Sequence, residues 1–95
     1  MKILNEEGKE IEVLDLGIVE AGKEKDFLFY LYNNENAKVI DIKIEIKNPE
    51  VSILSSPETI EPKSKESFKI KWSPNLIVKK GLKEKVIIKA KELYS

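Results

Sequence analysis

The 95-residue sequence contains no histidine, no cysteine, no arginine and no glutamine. Without histidine and cysteine, the chain lacks the usual ligands of zinc, haem and iron–sulfur clusters, and it lacks thiol nucleophiles and histidine-based triads. Without arginine, it has no bidentate guanidinium clamp for phosphate or guanine. We therefore expect a protein that is not an enzyme and that binds no cofactor and no metal ion.

Long apolar runs and targeting signals are also missing. The N-terminal segment 1–7 has a two-residue apolar run, Ile3-Leu4, which is too short for a signal peptide. No stretch approaches the ~20 apolar residues that a membrane-spanning helix needs. We expect a cytoplasmic or virion-borne protein with no membrane contact and, without cysteine, no disulfide framework.

Charge is abundant but balanced. There are 17 lysines against 17 aspartates and glutamates, so the formal net charge is zero. General nucleic-acid affinity usually needs a basic excess, and nucleic acid is therefore not the expected partner. A composition rich in lysine, glutamate and isoleucine suits either a thermophilic source or an AT-rich genome.

The apolar residues favour strands. The sequence has 13 Ile and six Val against three Ala, and β-branched side chains fit a pleated sheet better than a helix. Turn signals recur at short intervals, as in β-sandwiches and barrels. We predict one all-β domain over residues 1–95, an antiparallel sandwich of seven to nine strands with no substantial helix. The pattern is expected to account for a whole small protein.

Alternation of apolar and charged residues locates the strands. Between Val39 and Lys47, four isoleucines alternate with charged residues and are predicted to share the core face: Ile40, Ile42, Ile44 and Ile46. The same reasoning places Trp72 in the core and puts Val86, Ile88 and Ala90 on one face. The other predicted strands are Lys2 to Leu4, Glu10 to Leu16, Asp26 to Tyr32, Val51 to Leu54, Ser67 to Trp72 and Lys85 to Lys91, with shorter candidates at Ile18-Val19 and Thr59-Ile60. The stretch Leu76 to Lys80 fits either a strand piece or one helical turn.

The strand Asp26 to Tyr32 differs because it is apolar on both faces. One set of alternate side chains is predicted to face the core: Phe27, Phe29 and Leu31. The other set is the candidate partner-binding site: Leu28, Tyr30 and Tyr32. The alternative is that an N-terminal hairpin extension, residues 1–13, turns at Asn5-Glu6-Glu7-Gly8 and covers this second set.

Several segments read in order resemble one family. Leu14-Asp15-Leu16-Gly17-Ile18-Val19-Glu20-Ala21-Gly22 precedes an aromatic strand that ends at Asn33, and Ile60-Glu61-Pro62-Lys63-Ser64 precedes a strand that ends at Trp72-Ser73-Pro74. Over roughly residues 14–91, this order resembles immunoglobulin-like domains of the ASH, major-sperm-protein and PapD-like kind. The resemblance implies an immunoglobulin-like sandwich that docks proteins or acts as a structural module. Lys63 stands where the family turn usually has glycine, and the arginine that pilus chaperones use has no counterpart.

Two further clusters have functional and structural interpretations. The lysines 79, 80, 83, 85, 89 and 91 could contact an acidic partner or nucleic acid, but a solvated strand face is the favoured explanation. The carboxylates of residues 6, 7, 10 and 12 could hold a hard cation, but an exposed hairpin explains them.

The expected function follows from these points. We predict a non-catalytic structural or docking protein that binds a larger protein assembly, most concretely a capsid-decoration or tail-accessory protein of a phage or archaeal virus, with homo-oligomers expected for that role. The alternative is a cellular adaptor that binds a partner peptide or strand. A third reading is a lysine-rich nucleic-acid-binding protein.

Overall fold

A computed structural model describes residues 1–17, 19, 22–74 and 82–93. Nine strands occur in these residues: β1 (Lys2–Leu4), β2 (Glu10–Ile11), β3 (Val13–Gly17), β4 (Lys25–Tyr32), β5 (Lys38–Glu45), β6 (Val51–Ser55), β7 (Lys65–Trp72), β8 (Leu82–Lys85) and β9 (Ile87–Leu93). All their pairings are antiparallel, and no helix is found in the described part of the chain. The prediction of an antiparallel all-β chain is thus confirmed. The stretch 76–80 lies outside the described residues.

The strands form one large sheet and two ladders. The sheet has five strands in the order β2-β1-β4-β7-β6, and the ladders are β3–β8 and β5–β9. Val86 separates β8 from β9, so the segment 82–93 pairs first with β3 and then with β5. None of the described segments is a helix long and apolar enough to cross a bilayer.

One hydrophobic core is shared by the sheet and both ladders. Its buried members are Leu14, Leu16, Val19, Phe29, Leu31, Val39, Ile42, Ile44, Val51, Ile60, Phe68, Ile70 and Trp72. Trp72 is fully buried, as predicted, and its indole Nε1 donates to Glu50 Oε1 at 3.5 Å. The rings of Phe29 and Phe68 stack with centroids 5.6 Å apart. Because the core draws on separate sheets, its packing is compatible with a sandwich, whose immunoglobulin-like form stays a prediction.

A bulge in β5 corrects the predicted core face. The isoleucine alternation put Ile40 with Ile42, but Val39 and Ile42 are buried while Ile40 is half-buried. Asp41 takes a φ of 52° and the register with β9 shifts between Ile40 and Lys43. The extra residue moves the alternation by one position. Ala90 lies opposite the bulge and is exposed, whereas Val86 and Ile88 are half-buried and pack against the core.

The side-chain amide of Asn33 connects the end of β4 to two other segments. Asn33 is fully buried, and its Nδ2 donates to the carbonyl oxygens of Ala37 at 2.8 Å, Ile60 at 3.1 Å and Glu61 at 3.2 Å. Ile60 also exchanges two backbone hydrogen bonds with Val39 of β5. A single amide therefore holds the β4–β5 connection against the segment that leads into β7.

The turn at Glu61–Ser64 contains an unusual backbone conformation. Lys63 has a φ of 56°, and Ser64 N donates to Glu61 O at 3.3 Å across the turn. In a turn with proline at the second position, a positive φ at the third position normally favours glycine there. The Lys63 ammonium donates to Asn34 O at 2.6 Å, which offsets part of the strain. The lysine that departs from the resembled family's glycine thus keeps a glycine-like backbone.

We predict that Asn33→Ala lowers the free energy of unfolding by about 2 kcal/mol, because the two N–H groups of the amide lose hydrogen bonds worth about 1 kcal/mol each, while Ile60 O and Glu61 O keep a backbone donor. Urea unfolding followed by Trp72 fluorescence measures the change. Asn36→Ala is the control, because Asn36 is exposed in the same loop. A loss at Asn36 as large as that at Asn33 would contradict the role of the amide.

We predict that Lys63→Gly is more stable than Lys63→Ala by about 1 kcal/mol, because glycine alone relieves the left-handed φ. Both variants lose the hydrogen bond to Asn34, so their difference isolates the backbone effect. Thermal and urea unfolding compare the two proteins. An alanine variant that equals the glycine variant would show that the turn is not strained.

Candidate functional site

Strand β4 supplies both a core face and an outer face. Phe29 and Leu31 are 6% and 0% exposed, whereas Leu28, Tyr30 and Tyr32 are half-buried. Because β4 lies between β1 and β7, both of its edges are paired, and only its faces can meet other groups. The three predicted site residues therefore share one side of the sheet, opposite the core.

The predicted N-terminal hairpin forms, and it lies beside β4. The pairs are Lys2 with Tyr32, Ile3 with Leu31 and Leu4 with Tyr30. Since paired residues point to the same side, Ile3 packs on the core and Leu4 joins the tyrosines. The strands of the hairpin thus extend the sheet in its own plane. Leu4, Leu28, Tyr30 and Tyr32 are called the outer row below.

The hairpin turn explains why the N-terminal strands reach this position. Gly8 has a φ of 83°, and Gly8 N and Asn5 N bond to Asn5 O and Lys9 O, each at 2.9 Å. Asn5 Oδ1 also accepts the backbone N–H groups of Glu7 at 3.0 Å and Lys9 at 2.9 Å. A three-residue loop that ends in a left-handed glycine is a common hairpin connection. It sets the register of β1 with β2, in which Leu4 lies opposite Glu10.

Lysines flank the outer row on β7, whereas Glu10 lies opposite Leu4 on β2 and Asp26 lies beyond Leu28 on β4. On β7, Lys65 pairs with Tyr32 and Lys69 pairs with Leu28. The Lys65 ammonium lies 4.8 Å from the centroid of the Tyr30 ring, a cation–π contact. Among the described residues, Lys69 has no ion pair. An aromatic and aliphatic row with a cationic rim suits a partner surface that is apolar at its centre and acidic at its margin.

Ion pairs at the margins of the row are exposed and contribute little to stability. Lys2 Nζ lies 3.6 Å from Glu10 Oε2, and Lys71 Nζ lies 3.3 Å from Glu24 Oε2. Exposed pairs of this kind are worth ~0–1 kcal/mol. They partly neutralise the two ends of the rim and leave the centre positive.

The candidate lysine set is divided by the structure. Residues 79 and 80 lie outside the described part of the chain, Lys83 and Lys85 are on β8, and residues 89 and 91 are on β9. Lys83 is opposite Asp15, and the lysines of β9 pair with Glu45 at 3.9 Å and Asp41 at 3.8 Å. These lysines lie among carboxylates, so they do not form a uniformly basic surface.

The candidate acidic set does not converge either. Residues 6, 7, 10 and 12 are exposed around the hairpin, and Glu10 pairs with Lys2. Within the described ranges, no group of three or more carboxylates is arranged to hold a metal ion.

A groove of about 570 Å³ lies over the β5 bulge, lined by Asp41, Ile42, Lys43, Glu58, Lys89, Ala90 and Lys91. Lys43 and Lys89 are directly opposite each other, which is an unfavourable pair of like charges. The carboxylates of Asp41 and Glu58 balance them. The groove is therefore of mixed charge and has no evident ligand class.

Three residues that form the outer row or support the strand beneath it were not assigned these roles from the sequence. Leu4 was assigned to a strand but not to the site, although its alternation with Ile3 was a signal. The ring contact of Lys65 had no sequence signal, because lysine is common throughout the chain. Asn33 was read as the end of a strand, and nothing in the sequence indicated the three carbonyls that it binds.

The chain matches no protein-family model, and neither the curated proteins nor the solved structures give a significant match.

We predict that Phe29→Ala lowers the free energy of unfolding by about 3–5 kcal/mol. Tyr30→Ala should cost about 1–2 kcal/mol, because only part of its surface is buried and its cation–π contact is weak. The two neighbours share a strand, so urea unfolding compares the two faces directly. Equal losses would mean that the outer face is also covered.

Proposed function

We propose that this chain is a non-catalytic docking protein that binds a larger protein assembly through its outer row. One observation carries the proposal: Leu4, Leu28, Tyr30 and Tyr32 adjoin on the sheet face opposite the core and remain partly exposed. These residues are apolar or aromatic in a chain that is 36% charged. Tyrosine is enriched at interfaces because it offers large contact area at low entropic cost.

The rim defines the partner's chemistry. Lys65 and Lys69 flank the row on β7, and Lys2 flanks it on β1. Carboxylates on the partner would complement these ammonium groups and speed association. We therefore infer an acidic, partly apolar protein surface as the partner.

The concrete form of this proposal is a capsid-decoration or tail-accessory protein of a phage or archaeal virus, with a thermophilic host. It is supported by the small size of the chain, its lysine- and glutamate-rich composition and its lack of histidine and cysteine. The shared core supports the proposed immunoglobulin-like sandwich over residues 1–95. In this role the protein acts in the cytoplasm and on the virion, without a cofactor or a metal ion.

A cellular adaptor is the second candidate, because no described strand pairs with the outer edge of β6 in the five-stranded sheet, and a partner strand could add there. Binding of nucleic acid is less favoured, since the described lysines of β9 are paired with carboxylates. Retention on DNA that falls steeply with salt would support that third function instead.

We predict that Tyr30→Ser combined with Tyr32→Ser abolishes co-sedimentation of the chain with large particles from its native source in a sucrose gradient. The physical reason is the loss of the two largest contact areas of the row, while the core side of β4 is unchanged. Ile87→Ser is the matched control, because Ile87 is 37% exposed on a different ladder. Circular dichroism checks that both variants fold.

The contact itself can be located because the chain has no cysteine. A benzophenone attached through Leu28→Cys should cross-link to an assembly protein, whereas the same probe at Ile87→Cys should not. If both positions cross-link equally, or if the double tyrosine variant still co-sediments, the outer row is not the docking surface.

A further inference from the structure

Strand β6 is the only one of the nine described strands that contains no lysine, aspartate or glutamate. The uncharged run continues over residues 51–57, Val-Ser-Ile-Leu-Ser-Ser-Pro, between Glu50 and Glu58. In a chain that is 36% charged, this is an unusual place for a neutral segment, because β6 is an edge of the five-stranded sheet. Edge strands are commonly protected from pairing by charged side chains, lysine above all.

The side chains of this edge are exposed as well as uncharged. Ile53 is 36% exposed and Leu54 is 45% exposed, although Ile53 lies opposite Ile70, which is fully buried. Ile53 is therefore an exposed apolar side chain at this edge, and a further strand would cover it. The prolines at 49 and 57 lie outside β6 and leave its own backbone free of proline.

The backbone of β6 also presents hydrogen-bonding groups to solvent. Ser73 N donates to Glu50 O at 3.0 Å, which makes residues 50 and 73 a hydrogen-bonded pair. Antiparallel ladders alternate, so Ser52 bonds to Lys71, and the N–H and C=O of Ile53 point away from β7. This is the donor–acceptor pair that an added antiparallel strand would use.

We propose that two copies of this chain associate by antiparallel pairing of β6 with β6, about a two-fold axis at Ile53. In such a pair each residue meets its own symmetry equivalents, so any charge on the strand would face a like charge nearby. The open edges at β2 and β3 carry Glu10 and Asp15 and would bring carboxylates together. Strand β6 avoids that penalty, and a net charge of zero adds no overall repulsion between the copies.

The expected contact is short. Five residues span about 17 Å, and the bulge between Ile53 and Ser55 limits the pairing to the neighbourhood of Ile53. An interface of this size falls at the small end of specific contacts, so a dissociation constant of about 1–100 μM is expected.

The dimer has a geometric consequence for the outer face. A two-fold axis that relates neighbouring antiparallel strands is perpendicular to the sheet, so the two five-stranded sheets would join with both outer rows on the same side. The pairing of β6 does not rest on the proposed function of that row. If both are correct, the dimer is bivalent for its assembly.

Sedimentation velocity of the purified chain over about 10–1,000 μM should show a monomer–dimer equilibrium. Leu54→Lys should weaken it at least about tenfold, because two ammonium groups then lie at the contact. Leu93→Lys is the matched control, since Leu93 is 51% exposed on β9, and it should leave the equilibrium unchanged. Ile53→Cys should form an intermolecular disulfide under mild oxidation, while Leu93→Cys should not, because only residue 53 would face its own copy within the distance a disulfide spans.

Several outcomes would overturn the proposal. A wild-type chain that stays monomeric throughout the concentration range would do so, as would a dimer that Leu54→Lys leaves intact. A dimer that dissociates on Tyr30→Ser but not on Leu54→Lys would place the self-contact on the outer row. A monomer whose β6 instead binds a strand of another protein would make this edge an adaptor site. In each case, co-sedimentation with the native assembly tests the outer row separately.

Discussion

The side chain of Asn33 is the hydrogen-bonding constraint on which the arrangement of the strands depends. It is the one buried polar residue among the described positions, and its amide donates to the carbonyls of Ala37, Ile60 and Glu61. A buried amide without acceptors costs about 1–3 kcal/mol, so the end of β4, the start of β5 and the segment at Ile60–Glu61 are stabilised where they meet at Asn33. This fixes where β4 ends, where β5 begins and how the chain approaches β7.

The central position of β4 in the five-stranded sheet has a functional consequence. With β1 on one side and β7 on the other, β4 has no free edge, and its eight residues can vary only in what they present to each face. One face must fill the core. The other face does not pack in the core, yet it carries Leu28, Tyr30 and Tyr32 at positions where lysine and glutamate would be solvated more favourably. Structure alone does not require aromatic residues there, which is why contact with another protein explains them best.

Much of the fold could be predicted because the sequence consists largely of two classes of residue, β-branched apolar residues and charged residues. Isoleucine and valine alternate with lysine and glutamate, and this alternation located β5 and β7 within about two residues. Alternation could not predict the bulge at Asp41, because a left-handed residue inserted in a strand leaves the composition unchanged while it shifts the buried face from Ile40 to Val39. It could not predict the bend at Glu12 that splits one expected strand into β2 and β3, or the contacts of Asn33, which join residues far apart in sequence. Three of the four outer-row residues could be predicted, and Leu4 required the register of the hairpin.

The outer face of β4 and the edge strand β6 both differ from the charged remainder of the described surface, and they do so for the same physical reason. Lysine and glutamate at the outward positions of a strand disfavour its pairing with the same strand of a second copy, because like charges would then lie close together. Neutral segments at outward positions remove that protection locally, and the described chain does this on the outer face of β4 and on β6. The first is a broad face with a cationic rim, which suits a larger acidic surface. The second is a narrow edge with open backbone groups, which suits one strand. A face and an edge of the same sheet can be occupied at once, so attachment to an assembly and association of two copies do not compete, and each would strengthen the other through the joined sheet.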